Sequence, residues 1–265
     1  MLLDYHTHTH YCNHATGTMA SYVETALARG IREMGFADHA PFMPQPWMKL
    51  AATFEEYEQY VSDVLRLRQE YPEMTLRLGC ECDWVEGKEK EIETFLAAYP
   101  HDYVYGSLHF VRGFAYDMQE GIPGYQGRDL NQLWHDYFDD LARMAETKLF
   151  DILSHPDLIR KFAYQAPGDP KRFYEKTVPR IAAAGMAIEV NASGLFHFTQ
   201  GPYPTLDFLR MARQAGIPLV YGSDSHAPEH VGCCAAVCQA LAAEAGYTAW
   251  TRFAGRRRAG ELAFG

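Results

Sequence analysis

Histidine is concentrated at the start of the chain, where four of the twelve histidines fall within the first fourteen residues. In the segment Asp4-Tyr5-His6-Thr7-His8, two imidazoles stand two residues apart in a strand-like stretch. Strand side chains alternate between faces, so positions 4, 6 and 8 project to one side. Two such imidazoles can bind one metal ion, and Asp4 on the same face is expected to orient an imidazole. A tag remnant is the alternative, but a tag would lie outside an apolar strand.

A second segment of the same geometry is Gly222-Ser223-Asp224-Ser225-His226, which follows the apolar run Pro218–Tyr221. Other His, Asp and Glu side chains also stand where predicted strands end, and such ends converge on one site in a barrel. The candidate metal ligands are His6, His8, His14, His39, Glu81, His109, His155, Asp224 and His226.

The number of candidate ligands indicates more than one ion. A zinc ion takes about four ligands, so nine suit two to three divalent transition-metal ions with bridging carboxylates. Imidazole-rich sites favour Zn, Fe or Mn over Mg. Neighbouring ions that share a carboxylate can generate a hydroxide and clamp an in-line displacement at phosphorus. The set therefore predicts metal-assisted phosphoester hydrolysis.

Short apolar runs alternate with longer helical patterns along the chain. The predicted strands are Leu2–His6, Arg32–Ala37, Thr75–Trp84, Tyr103–Leu108, Asp151–Ser154, Ala187–Val190 and Pro218–Tyr221. The predicted helices are Ser21–Arg29, Phe54–Glu70, Lys88–Ala98, Leu130–Lys148, Pro170–Ala184, Thr205–Ala215 and Glu229–Glu244. About seven βα units imply a parallel α/β sheet with helices outside, and at this length one distorted barrel is favoured over an open sheet. Without a long linker, residues 1–265 are predicted to form a single domain.

Composition narrows the class of protein. The 265 residues carry 34 Asp and Glu against 24 Lys and Arg, a net charge of −10, which disfavours nucleic acid as a partner. No apolar run approaches the ~20 residues of a membrane span. The N-terminus has no secretory signal, and the six cysteines follow no disulfide framework, so a cytoplasmic enzyme is expected. The acidic balance alone also disfavours an anionic substrate, but three divalent ions would bring about +6 to the pocket.

Six motifs, taken in the order in which they follow one another along the chain, resemble the PHP (polymerase and histidinol phosphatase) family. They are Asp4–His8, Asp38-His39, Glu81, Ser107-Leu108-His109, His155 and Asp224-Ser225-His226. Within the family, four longer stretches resemble the monofunctional histidinol-phosphate phosphatase branch; they span residues 35–42, 154–162, 191–195 and 224–232. The resemblance extends from residue 4 to residue 230, which is nearly the whole chain.

The resemblance implies a distorted (βα)7 barrel with a trinuclear site at the carboxyl ends of its strands. It assigns His6 and His8 to one ion with help from Glu81 and Asp224, then Glu81, His109 and His155 to a second, and His14, His39 and His226 to a third. It further implies that a metal-bridging hydroxide attacks the phosphorus of L-histidinol phosphate. The products would be L-histidinol and phosphate, in a late step of histidine biosynthesis.

Substrate contacts are also implied by the resemblance. Arg160 matches the phosphate-binding arginine of the branch, and a guanidinium suits bidentate contact with phosphoryl oxygens. An exposed cation at a helix start is the alternative for Arg160. After Ser193-Gly194-Leu195 the branch usually has an Arg-Lys pair, whereas this chain has Phe196-His197-Phe198. His197 is expected to contact phosphate or protonate the leaving oxygen, beside Ser193 as a substrate contact and Asp224 as a catalytic group.

Other functions stay open at this point. The wider family includes phosphodiesterases, so another small phosphate ester or a phosphodiester is the alternative substrate. A non-catalytic metal-binding protein is the alternative to an enzyme. Whether the protein is a homo-oligomer is also left open. The run Arg256-Arg257-Arg258 is short for nucleic-acid binding and is interpreted as a solvated face.

Overall fold

The computed structural model describes residues 2–42 and 49–265. Within these ranges the strands are β1 Leu3–Thr7, β2 Glu33–Phe36, β3 Thr75–Leu78, β4 Glu81–Asp83, β5 Tyr105–Ser107, β6 Ile152–Leu153, β7 Ala187–Asn191, β8 Leu219–Gly222, β9 Ala249–Ala254 and β10 Arg257–Ala263. The helices are α1 Met19–Ala28, α2 Phe54–Glu70, α3 Glu89–Ala97, α4 Leu130–Glu146, α5 Lys171–Ala184, α6 Leu206–Gln214 and α7 Ala235–Glu244.

The first eight strands pair in parallel, which confirms the predicted α/β fold with helices between strands. One sheet has the order β1-β2-β3 and a second has the order β4-β5-β6-β7-β8. Single bridges join the two sheets just beyond the strand ends, from Thr7 to Ser225 and from His39 to Glu81. The carboxyl ends of β1 and β2 therefore lie against the two edge strands of the second sheet.

The parallel strands other than β3 are short and buried along their whole length, as expected for parallel strands covered by helices. Helices α1, α2, α4 and α6 begin at residues whose side chains cap the first turn. Thr18 and Ser21 form a capping box at α1, and Thr53 and Glu56 form one at α2. Because Thr18 is the cap, α1 begins two residues before the predicted start at Ser21.

The predicted strand Thr75–Trp84 is wrong as one element, because the chain bends between β3 and β4. The first part pairs with β2 and the second with β5, so a single straight strand would reach only one neighbour. Gly79 lies at the bend directly beneath the Tyr103 ring, where any Cβ would clash with that ring.

The C-terminal hairpin β9-β10 was not predicted from the sequence. It is antiparallel, and its buried Trp250 packs against Tyr221 of β8, with ring centroids 5.9 Å apart, while the Arg252 Nε donates to Glu33 Oε2 of β2 at 2.6 Å. Arg256 donates to Asp151 and to the carbonyl of Leu149, so the interpretation of residues 256–258 as a solvated face is wrong for Arg256.

The last helix also differs from its prediction. The predicted span Glu229–Glu244 is a short 3-10 turn at Pro228–His230 followed by α7, since Gly232 and Cys234 between them have positive φ. Across residues 2–42 and 49–265, none of the helices combines the length and apolar character that a bilayer crossing requires.

Candidate metal centre

The nine predicted ligands come together at the carboxyl ends of the parallel strands. Eight of them line one cavity of about 1650 Å³, namely His8, His14, His39, Glu81, His109, His155, Asp224 and His226. His6 is completely buried immediately beneath them. The convergence of strand ends predicted from the sequence is thus seen in the structure.

The most compact group contains His6, His8, Glu81 and Asp224. The Nε2 atoms of His6 and His8 are 3.2 Å apart, and they lie 3.4 and 3.5 Å from Glu81 Oε2. Asp224 Oδ1 is 3.2 Å from His8 Nε2 and 3.7 Å from His6 Nε2. Ligand atoms 2.0–2.1 Å from a tetrahedral zinc ion lie roughly 3.3–3.4 Å from one another. The distances among His6, His8 and Glu81, and those from Asp224 to the two imidazoles, are therefore those of a single ion's ligand set.

Glu81 connects this group to a second one. Its Oε2 atom faces His6 and His8, while its Oε1 atom lies 3.0 Å from His155 Nε2 and 3.6 Å from His109 Nε2. Ligand atoms of Glu81, His109 and His155 fall within 4.8 Å of one another. A carboxylate with one oxygen toward each imidazole group is placed to bridge two ions.

A third group consists of His14, His39 and His226, whose ligand atoms also lie within 4.8 Å of one another. Backbone carbonyls orient two of these rings, since His14 Nδ1 is 2.7 Å from the Cys12 oxygen and His226 Nδ1 is 3.0 Å from the Asp224 oxygen. A hydrogen bond from Nδ1 leaves Nε2 unprotonated and available to a metal ion.

Two buried carboxylates orient further imidazoles, and sequence reasoning missed both. Glu189 Oε1 is 2.8 Å from His6 Nδ1, and both oxygens of Asp83 are 3.0 Å from His109 Nδ1. Two features of the sequence could have indicated these carboxylates. Glu189 is the acidic residue within the largely apolar strand β7, and Asp83 stands two residues after Glu81. Gly222 leaves the necessary space, because any Cβ there would clash with Glu189 and His6.

Asp4 has a different role from the one predicted. Its Oδ1 accepts hydrogen bonds from the backbone amides of Ser223 and His6 at 2.9 and 3.3 Å, and its Oδ2 accepts one from Gly232 at 2.7 Å. None of the hydrogen bonds described for Asp4 involves an imidazole. The prediction that Asp4 orients a histidine ring is therefore wrong, and the carboxylate instead ties β1 to the segment after β8.

The backbone is strained at two of the candidate ligands. His155 has φ 27° and Asp224 has φ 56°, and both follow the ends of buried strands. Non-glycine residues adopt such values at a cost of order 1–3 kcal/mol, and they persist where the surroundings hold them in place. At His155 the holding contact is the backbone amide, which donates to Glu189 Oε2 at 2.9 Å.

The electrostatics of the cluster favour cations. Burial opposes ionisation of Glu81 and Asp224, but the facing imidazoles hold the pKa of both carboxyls well below the usual range. Burial likewise disfavours charge on His6, yet Glu189, Asp224 and Glu81 together raise its pKa well above the ordinary value. The donor set fits divalent ions, and buried His8 Nδ1 and His39 Nδ1 have no hydrogen-bond partner among the described residues.

The predicted substrate contacts are only partly brought to this cavity. Ser193 and His197 line it, beside Asp224. Arg160 does not face it, because its Nε lies 2.8 Å from Asp157 Oδ2 and its Nη2 donates to the Pro202 carbonyl at 3.0 Å. The assignment of Arg160 to the substrate therefore stays a prediction.

Parallel strands that deliver histidines and carboxylates to one cavity define the molecule as an α/β protein with a multi-ligand metal centre. The chain belongs to the PHP family, since the model of the PHP domain matches residues 4–193.

Proteins similar along most of this chain are known from several bacteria. A probable histidinol-phosphatase of Deinococcus radiodurans is 37% identical, and the match covers 87% of this chain and 88% of the relative. A histidinol-phosphatase of Bacillus subtilis is 28% identical over 86% of this chain and 95% of the relative. Among solved structures, the histidinol phosphate phosphatase of Lactococcus lactis, described as complexed with zinc, L-histidinol and phosphate, has a TM-score of 0.81 at 20% identity. That likeness covers 98% of this chain and 99% of the other, and it concerns the fold.

Proposed function

We propose that this protein is a metal-dependent phosphomonoesterase that hydrolyses L-histidinol phosphate to L-histidinol and phosphate. The observation that carries the proposal is the shared carboxylate of Glu81, which joins two imidazole groups on the floor of a large cavity. The names of the Deinococcus and Bacillus relatives support the substrate, as do the ligands described for the Lactococcus enzyme.

In this proposal the centre holds two to three divalent ions, chosen from Zn, Fe and Mn. His6, His8, Glu81 and Asp224 would bind one ion, Glu81, His109 and His155 a second, and His14, His39 and His226 a third. Bound ions would polarise the phosphoryl oxygens and lower the pKa of coordinated water. The separations within each group and the charged carboxylates support the assignment.

The protein's own contribution would be positioning. Glu189 and Asp83 hold the His6 and His109 rings with Nε2 toward the centre. Ser193 and His197 would contact the ester, and burial together with nearby Lys161 lowers the pKa of His197, which favours its neutral form. Arg160 would join them only after releasing Asp157, to which it is bonded here.

We also propose that residues 1–265 form one domain, built on a closed and distorted barrel of seven strands in which β3 and β4 count as one bent strand. The Thr7–Ser225 and His39–Glu81 bridges support closure, since they link the edges of the two sheets. A continuous core from Leu3 to Phe253 supports the single domain.

The test is phosphate release from L-histidinol phosphate by protein reconstituted with Mn, Fe or Zn. His155→Ala and Asp224→Asn are expected to abolish metal-dependent turnover, because each removes a ligand of the centre. His135→Ala is the matched control, since this side chain is 51% exposed on α4. Unchanged turnover in either site variant would contradict the proposal.

The alternative substrate is another small phosphate ester or a phosphodiester. The observation behind it is the apolar rim at Phe196 and Phe198, which are 63% and 72% exposed beside the cavity instead of the basic pair usual in the branch. A panel that contains histidinol phosphate, other monoesters and a dinucleotide separates these cases. The net charge of −10 argues against long nucleic acids as substrates.

A further inference from the structure

We propose that Asp117 selects phosphate monoesters whose alcohol portion carries a positive charge, and that neighbouring Lys161 binds their phosphoryl end. This proposal rests on the phosphomonoesterase activity proposed above and names the chemical class of substrate that the cavity prefers. It is carried by a pair of opposite charges on the cavity wall, outside the histidine cluster.

Asp117 is a buried carboxylate with an unused oxygen. Its residue surface is 7% exposed, it lines the cavity, and its Oδ1 atom has no hydrogen-bond partner among the described residues. Its Oδ2 atom lies 3.6 Å from Lys161 Nζ, which is an ion-pair separation but too long for a hydrogen bond. Buried carboxylates are normally satisfied by donors, so an unsatisfied one on a ligand cavity indicates a cation supplied from outside.

The position of Asp117 is held by its neighbours. Tyr116 is fully buried, and its hydroxyl donates to the Leu108 carbonyl, while the Tyr125 hydroxyl donates to the Tyr116 carbonyl at 2.5 Å. These contacts hold the chain in place on the N-terminal side of Asp117.

Of the two neighbouring cations Arg160 and Lys161, Lys161 is the one that faces the cavity. Arg160 is bonded to Asp157, whereas Lys161 lines the wall with 22% of its side chain exposed. The loose separation between Lys161 and Asp117 leaves both charges able to bind a second partner. A phosphate monoester of an amino alcohol carries a phosphoryl dianion and an ammonium a few bonds apart, which matches the two charges in sign.

The other acids on the described wall do not offer the same site. Glu81 and Asp224 face imidazoles at 3.0–3.7 Å, so their oxygens belong to the metal centre. Glu120 is exposed on the rim, where water competes with any ligand. Asp117 is thus the acid best placed to recognise a cation on the substrate.

The experiment compares phosphoethanolamine with ethyl phosphate, and L-histidinol phosphate is measured alongside. Wild-type protein is expected to prefer the cationic ester in kcat/KM, and Asp117→Asn is expected to reduce that preference about tenfold or more, as for loss of one charge-assisted hydrogen bond. The two esters differ in intrinsic reactivity because their leaving alcohols differ. Comparing the preference of wild type with that of each variant removes this difference. The matched control is Glu120→Gln, which removes the same charge three residues away and should change the preference less than about twofold.

Calorimetry supplies a readout apart from turnover. Asp117→Asn is expected to weaken binding of L-histidinol about tenfold while binding of inorganic phosphate weakens much less. Lys161→Met should show the reverse pattern, with phosphate binding weakened more. Equal effects of Asp117→Asn on both ligands, or an unchanged preference, would overturn the proposal.

Two further results separate this proposal from the proposed function. Turnover of phosphoethanolamine without turnover of L-histidinol phosphate would refute the named substrate but support the role of Asp117. If Asp117→Asn does not fold, Lys161→Met decides, because the proposal requires it to weaken binding of phosphate more than binding of L-histidinol, and equal effects on the two ligands contradict it. If no monoester is hydrolysed, the proposed activity fails, and the L-histidinol calorimetry still tests Asp117.

Discussion

Replacement of Glu189 by glutamine is expected to weaken metal binding, although Glu189 itself lies behind the predicted ligands. The carboxylate is completely buried on β7 and makes three hydrogen bonds. Its Oε1 accepts from His6 Nδ1 at 2.8 Å, and its Oε2 accepts from the His155 amide at 2.9 Å and from Asn191 Nδ2 at 3.0 Å. One side chain thus positions parts of two ligand groups.

Glutamine has the same shape but only one acceptor oxygen, so it cannot satisfy all three donors. If its oxygen faces His155 and Asn191, its NH2 group faces His6 Nδ1, and the His6 proton must move to Nε2, the atom aimed at the centre. If the amide is reversed, its NH2 group meets two N–H donors, at a cost of about 1–3 kcal/mol for each buried group left unpaired. Loss of such a supporting carboxylate typically lowers metal affinity ~10–100-fold, or about 1.4–2.7 kcal/mol.

The assay is a zinc titration in a competing chelator, with metal content measured after dialysis and thermal unfolding followed with and without zinc. Glu244→Gln is the matched control, because Glu244 is 59% exposed and pairs with Arg210 on the surface. We expect Glu189→Gln to lose affinity and the control to match wild type. Wild-type zinc affinity in Glu189→Gln would refute the argument that Glu189 sets the proton position on His6.

Two further predictions concern Asp83 and His101. Asp83→Asn should weaken zinc binding ~10-fold in the same titration, because both Asp83 oxygens support His109 Nδ1; unchanged affinity would count against that support. Burial of His101, with nearby Arg256, lowers its pKa to about 4, and its Nε2 lies 2.8 Å from the Tyr57 hydroxyl. The unfolded chain therefore takes up this proton first as pH falls, and up to about 3 kcal/mol of stability present above pH 6.5 is lost by pH 4. Urea unfolding from pH 4 to 7 should show a shallower dependence for His101→Gln, and equal slopes would contradict this account.

The convergence of the candidate ligands at the strand ends was predictable because two geometric rules act together. Side chains alternate along a strand, so His6 and His8 share a face, and parallel strands place their carboxyl ends at one edge. No helix propensity or distant contact has to be known for either rule. The same rules predict that Asp224 and His226 approach His8. Asp224 Oδ1 lies 3.2 Å from His8 Nε2, and the ring centroids of His226 and His8 are 4.0 Å apart.

The residues that escaped prediction depend on contacts between distant segments. Glu189 meets His6 across 183 positions of sequence, and the direction of the Arg160 guanidinium is set by Asp157 and the Pro202 carbonyl. The break between β3 and β4 depends on the packing of Gly79 beneath Tyr103. Periodicity describes which face a side chain takes, but it carries no information about the partner on the other side of that face.

Net charge is a weak guide to the substrate because most of the acidic groups do not face it. Glu81 and Asp224 are charged, but each lies within 4 Å of several imidazoles, and divalent ions bound there would reverse the local potential. Beyond the cluster, the described wall carries the half-buried cation Lys161 and the buried anion Asp117, one charge of each sign. In the proposed function, a small phosphate ester would therefore meet a floor made positive by the bound ions and a wall with one charge of each sign, whatever the total of −10 on the chain. In the proposed function, the net charge of −10 would still disfavour a long polyanion, because it would interact with the whole protein and not with the cavity alone.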